Sequence, residues 1–269
     1  MMLSRKAASA ALAFLLTASA GLIFSSAASV AFFSLAASAA RAADSAGEKI
    51  LLPAKERQVS VTLFRAPGTA PRASVMMLHG AAGFDRQIAD YSRYAAALAS
   101  SGFDAYLVNY RSDDDMKRLA TGENVFEARI GDWAILVDDL ADYLKAQKNA
   151  TGKVGLIGFS DGGTLTTGAS ALDKNITAAV VYYGMDAANV GIEEKRFPPM
   201  LLLHGDADKT ITWMNSELLA QHVKELHAPV ELVLFPGEGH GFGADTTTKH
   251  GADALKRTLT FLHQRLDRK

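Results

Sequence analysis

Short apolar runs and longer stretches of helical period take turns along the chain from residue 57 onward. The runs at 57–65, 73–79, 103–109, 153–159, 177–183, 199–204 and 229–235 have strand length and strand composition. Two of them, at 75–78 and 200–203, are apolar without interruption. That is the mark of strands covered on both faces. Between the runs lie helical patterns at 87–101, 126–149, 162–172, 212–227 and 248–267. In the clearest of these, Ile130, Trp133, Ala134, Val137, Leu140, Ala141 and Leu144 recur at three- and four-residue spacing, while Asp132, Asp138, Asp139 and Lys145 take the opposite face. Strands alternating with crossover helices predict an α/β domain, with a mostly parallel twisted sheet and helices on both faces.

The first 42 residues follow another pattern. Arg5 and Lys6 precede an Ala-, Ser-, Leu- and Phe-rich tract at 7–40, and small residues end it at Ala40-Arg41-Ala42. This predicts a secretory signal peptide cut between Ala42 and Ala43, with an uncleaved N-terminal anchor as the alternative, because the tract is long enough to span a bilayer. Either way the body, one domain over 43–269, is expected outside the cytoplasm, periplasmic or secreted, with a membrane association only if the leader is retained. Composition adds two constraints. With no cysteine in the chain, the exported domain must draw its stability from its core and not from disulfides. A formal net charge of −1 and no basic stripe beyond the leader exclude nucleic acid as an expected partner.

Candidate chemistry sits where strands end. Gly158-Phe159-Ser160-Asp161-Gly162-Gly163 lies between a predicted strand and a predicted helix. A sharp turn there lifts the central side chain above the sheet but leaves no room for bulk two residues before and after it, and Gly158 and Gly162 meet that need. Ser160 is thus a candidate nucleophile, a helix-capping serine being the alternative. A base and an acid must follow in the order acid, then histidine. Asp206 and Asp208 stand in the turn after one downstream strand, and His240 stands among glycines after the last. The other histidines have simpler roles: His222, His227, His250 and His263 on solvated helical segments, His79 and His204 bracing turns. For an oxyanion the expected donors are the amides of Asp161 and of Ala81, with Ala82 as the alternative.

HGAAG at 79–83, GFSDGG at 158–163, VYYG at 181–184, HGDADKTI at 204–211 and FPGEGHGF at 235–242 together resemble the dienelactone hydrolase-like family of the α/β-hydrolase superfamily, over residues 55–267. The resemblance implies an α/β-hydrolase fold with Ser160 as nucleophile, Asp208 as acid and His240 as base. Its His-Gly-X-X-Asp spacing selects Asp208 over Asp206, leaving Asp206 as a turn residue. The enzyme that names the family carries cysteine where this chain has Ser160, so the resemblance points to hydrolysis of an ester or related acyl compound more than to a dienelactone. Similar motifs occur in prolyl oligopeptidase-type serine peptidases, which Val108-Asn109-Tyr110-Arg111-Ser112 also resembles. A small exported peptidase or amidase is therefore the alternative, followed by a non-catalytic binding domain on the same fold. No stretch between Tyr183 and Phe197 is long enough for a lid, so the site is expected to be open.

Three weaker expectations complete the reading. The segment 111–118, RSDDDMKR, reads as a charged, solvated loop whose adjacent aspartates lack metal-ligand spacing, so no metal is expected. Arg111 is a candidate partner for a substrate carboxylate. Phe84, Trp213 and Phe242 border the proposed loops and are candidates for shaping an acyl pocket around a small-molecule ester. The expected chemistry needs no cofactor.

Overall fold

A computed structural model of the protein describes residues 47–267, except 56, 173, 174, 194 and 195; the leader and its cleavage site lie outside the described residues. Eight strands form one sheet: β1 (Glu48–Ala54), β2 (Arg57–Phe64), β3 (Arg72–Leu78), β4 (Asp104–Val108), β5 (Ala150–Phe159), β6 (Ala178–Tyr182), β7 (Met200–Gly205) and β8 (Val230–Phe235). Their order across the sheet is β1-β2-β4-β3-β5-β6-β7-β8. All neighbours from β4 to β8 are parallel, and β2 is antiparallel to both β1 and β4. Among the described residues the α-helices are α1 (Ile88–Ser100), α2 (Asp113–Ala120), α3 (Val125–Lys145), α4 (Asp161–Leu172), α5 (Met214–Glu225) and α6 (Lys249–Leu266).

Strand periodicity sorts the core into two layers. On β3, Ala73, Val75 and Met77 face a cluster built with Tyr94 and Leu98 of α1 and Phe261 and Leu262 of α6. Met76 and Leu78 face the opposite cluster, with Trp133 and Val137 of α3, Leu165 of α4 and Leu219 of α5. All four residues of the 75–78 run are 0% exposed. Each side chain of that kind contributes about 1.5–3 kcal/mol by leaving water. Burial on both sides explains why the run shows no polar alternation.

Two elements depart from the sequence expectation. β1 was not anticipated: it is an edge strand whose Leu51 is 64% exposed and which contains Pro53, so it has no uninterrupted apolar run. The stretch at 111–118 is not a solvated loop. Ser112 caps α2 by accepting from the Asp115 amide, and Asp115 accepts from the Ser112 amide in return. Asp115 is fully buried and also accepts from Trp133 Nε1 at 3.2 Å and Arg129 Nε at 3.1 Å. Burial alone would push its carboxyl up; these hydrogen bonds outweigh that and hold it below the ordinary carboxylate range. The helix expected at 126–149 ends at Lys145, and residues 146–149 form the turn that leads into β5, which starts three residues before its apolar run.

Chain order fixes where a ligand can sit. From β3 the chain crosses to β4 on one side, and later returns to β5 on the other side of β3. The loops leaving β3 and β5 therefore diverge at the carboxyl edge of the sheet. Such a switch point leaves a crevice.

Candidate active site

Ser160 occupies the turn from β5 into α4 with φ +55°. A non-glycine residue in this left-handed region costs on the order of 1–3 kcal/mol and persists only where its surroundings fix it. Here the Ser160 amide donates to the Tyr182 carbonyl at 3.0 Å, and the Ser160 carbonyl accepts from the Thr164 amide at 3.0 Å. The flanking glycines are required by space. A Cβ at Gly158 would collide with the Gly162 carbonyl and Thr166, and one at Gly162 with the carbonyls of Leu78 and His79.

Two loops from the far half of the sheet reach this turn. Asp208 follows β7, and His240 lies between β8 and α6. Ser160 Oγ is 2.9 Å from His240 Nε2, and His240 Nδ1 is 2.7 Å from Asp208 Oδ2. An ionised carboxylate only accepts, so Nδ1 carries the ring proton and Nε2 is left free to accept from the serine hydroxyl. The Asp208 side chain is inaccessible to solvent. Burial alone would raise its pKa; hydrogen bonds from His240 and from the amides of Thr210 (2.8 Å) and Ile211 (3.0 Å) outweigh it and hold the carboxyl below the ordinary range. Asp206 is exposed and accepts from the Gly237 amide at 2.7 Å, tying two turns together.

Two neighbours of this relay were not anticipated as such. His204 lies against Asp208: Nε2 donates to the Ile211 carbonyl at 2.8 Å and lies 3.3 Å from Asp208 Oδ2, while Nδ1 is 2.7 Å from Ser216 Oγ. Burial pushes its pKa down, which keeps this brace neutral. Tyr183, at φ +40°, packs its ring against that of His240 in a T-shaped contact with centroids 4.8 Å apart. The only sequence signal for it was its place in VYYG.

On the other side, the loop after β3 runs beside the serine: a Cβ on Gly80 would lie 3.2 Å from Ser160 Cβ. Ala81 and Ala82 are exposed on that loop. Asp161 is the first residue of α4, so its amide has no acceptor within the helix. Arg111 lies between these pieces with a side chain only 4% exposed. It donates to the Ala81 carbonyl at 2.6 Å and to Asp161 Oδ2 at 3.0 Å. Of the aromatics, Phe84 is buried edge-on against His79 and Tyr91, and Phe242 packs on Phe235 and Tyr183. Trp213 is partly exposed just before α5.

Comparison with known proteins matches this architecture to hydrolases. Solved structures with a similar fold include esterase 2 of Thermogutta terrifontis phosphorylated by paraoxon, at TM-score 0.65 and 19% identity over 83% of this chain and 96% of that one. Another is a putative dienelactone hydrolase of Klebsiella pneumoniae, at TM-score 0.63 and 23% identity over 81% of this chain and 98% of that one. Among curated sequences, a putative carboxymethylenebutenolidase of Yersinia pestis is 25% identical over 70% of this chain and 75% of its own length. Mouse acyl-coenzyme A thioesterase 1 is 28% identical over 59% of this chain, which spans only 36% of that relative. The dienelactone hydrolase family model matches residues 60–266, and the chain belongs to that family.

Proposed function

We propose that the protein is a serine hydrolase of carboxylic esters or related acyl compounds, working through Ser160, His240 and Asp208. The observation that carries this reading is the unbroken pair of hydrogen bonds, 2.7 Å and 2.9 Å, that ends on a serine held in a left-handed turn. In the first step Ser160 Oγ bonds to the acyl carbon as its proton passes to His240 Nε2, and the carbonyl electron pair moves onto oxygen. Asp208 steadies the imidazolium. The amides of Asp161 and Ala81, with Ala82 as the alternative, meet the oxyanion. Collapse breaks the bond to the alcohol, which leaves with the proton from His240. Water then repeats the sequence on the acyl-enzyme and frees the acid. No metal or organic cofactor takes part in these steps.

A fluorophosphonate probe tests the nucleophile, because its phosphorus is attacked as an acyl carbon would be. Mass-spectrometric labelling is expected at Ser160 in the wild type and at no residue in Ser160→Ala, whose turnover should fall by about 10⁶. An unlabelled but folded wild type would remove the proposal. A matched series of oxygen esters, thioesters and amides then separates the substrate classes. Thioesters belong in it because the relatives include acyl-coenzyme A thioesterases, and amides cleaved as fast as esters would point to a peptidase or amidase.

We also propose that the enzyme works outside the cytoplasm, on the strength of the 1–42 leader. Sequencing the N-terminus of protein recovered from the producing cells is expected to begin at Ala43. An intact Met1 on cytoplasmic protein would overturn export.

A further inference from the structure

An oxyanion pocket works only if its donors converge on one point, and in this fold the two donors belong to separate pieces of chain. One is the first residue of α4; the other lies on the exposed turn after β3. Something must fix the direction of each amide on that turn and its distance from α4.

A trans peptide points its C=O and N–H in opposite directions, so anchoring a carbonyl aims the next residue's amide. The Gly80 carbonyl, which shares a peptide plane with the Ala81 amide, is held by His79 Nδ1 at 2.8 Å and by the Gly83 amide at 3.1 Å. The Ala81 carbonyl, which shares a plane with the Ala82 amide, is held by Arg111 Nη1 at 2.6 Å. The same guanidinium reaches the Asp161 carboxylate through Nη2 at 3.0 Å. One planar group therefore joins the β3 turn to the start of α4.

The guanidinium is itself fixed. Its carbon lies 5.5 Å from the Tyr110 ring centroid and 5.6 Å from that of Trp133. Tyr110 donates to the His79 carbonyl at 2.9 Å and stacks on the His79 ring at 4.2 Å. Trp133 is tied to α2 through Asp115. Trp133 and Tyr110 also meet each other edge-on, with centroids 5.1 Å apart, so the guanidinium borders both rings while Tyr110 carries the contact on to His79.

We propose that Arg111 is a positioning residue for the oxyanion pocket: by holding the Ala81 carbonyl it aims the Ala82 amide directly and fixes the turn that carries the Ala81 amide at its distance from the first residue of α4, and it is not the receptor for a substrate carboxylate. The inference rests on the serine-hydrolase reading above. A receptor would have to present donors to solvent. This side chain is 4% exposed and already bridges two protein acceptors.

The test compares the wild type with Arg111→Met, Arg111→Lys and Arg111→Ala. Neutral esters, matched esters carrying a free carboxylate, and the fluorophosphonate probe are the reagents. With the clamp gone, kcat on the neutral ester is expected to fall about 10- to 100-fold with KM little changed, since displacements near 1 Å cost of that order. Labelling of Ser160 should slow by the same factor, because the phosphoryl oxygen needs the same donors. Lysine should recover little, as a point charge does not span two acceptors. Methylguanidinium added to folded Arg111→Ala should restore part of the rate, a result that a merely unfolded variant would not give. If instead the variants keep neutral-ester turnover and lose only affinity for the carboxylate esters, Arg111 is a receptor and the clamp is wrong. If wild type and variants label equally fast, the clamp alone fails; if the wild type does not label, the serine reading fails and the clamp with it.

Discussion

At the scale of single residues, the groups around the proposed reaction are divided by whether their environment favours charge. Asp208 is inaccessible yet supplied with three donors, so it stays ionised. Burial outweighs Arg111 and the smaller effect of His240 at Asp161, and its carboxyl is pushed above the ordinary range. His79 is 1% exposed, and burial, with a further push from Arg111, lowers it to about 4. An unfolded chain would protonate this histidine near pH 6.5, at its ordinary value of about 6.5. Between that pH and 4 the unfolded state binds a proton that the folded state refuses, so stability is intact above the window and is lost as the pH falls through it. The loss attributable to His79 should be about 2 kcal/mol by pH 5 and on the order of 3 kcal/mol by pH 4. Urea titrations of wild type and His79→Phe at pH 7 and pH 5 measure this: the variant should lose about 2 kcal/mol less on acidification, and equal losses would contradict the assignment. The sequence showed His79 as a residue that braces a turn, but not what it braces, because its ring partner Tyr110 comes 31 residues later.

At the scale of elements, legibility followed burial. β3 and β7 could be read directly, since strands covered on both faces are written as unbroken apolar runs. β1 could not, because an edge strand needs no such run. α2 is the instructive failure. Three consecutive aspartates looked like solvent-facing charge, yet the third is the fully buried partner of Ser112, Arg129 and Trp133. A signal was present in Ser112-Asp113-Asp114-Asp115, whose spacing is that of a capping box with aspartate in place of the usual glutamate. Charge count alone concealed it. The elbow was legible for another reason: the glycine at 158 is demanded by the Gly162 carbonyl four residues on, so that part of the requirement is written locally, while the glycine at 162 answers to the carbonyls of Leu78 and His79 at the end of β3. The Arg111 bridge spans 30 residues to Ala81 and 50 to Asp161, and no local pattern encodes it.

At the scale of the molecule, the candidate site is assembled from both halves of one sheet, with Ser160 at the centre and Asp208 and His240 arriving from the β7 and β8 side. These parts are not equally anchored. In α4, every residue from 162 to 171 is buried, whereas His240 and its glycine neighbours are partly exposed on a loop. Amide hydrogens of α4 from Thr164 to Ala171 should therefore exchange with deuterium only when the whole domain opens, while those at 239–241 should exchange by local excursions. Exchange along α4 faster than the rate of global unfolding would count against this division. Its consequence is a separation of failure modes. Under mild denaturant the protein should lose the contact of His240 with Ser160 before it loses the turn that holds Ser160, and that early loss should reverse on dilution, because the serine never left its turn.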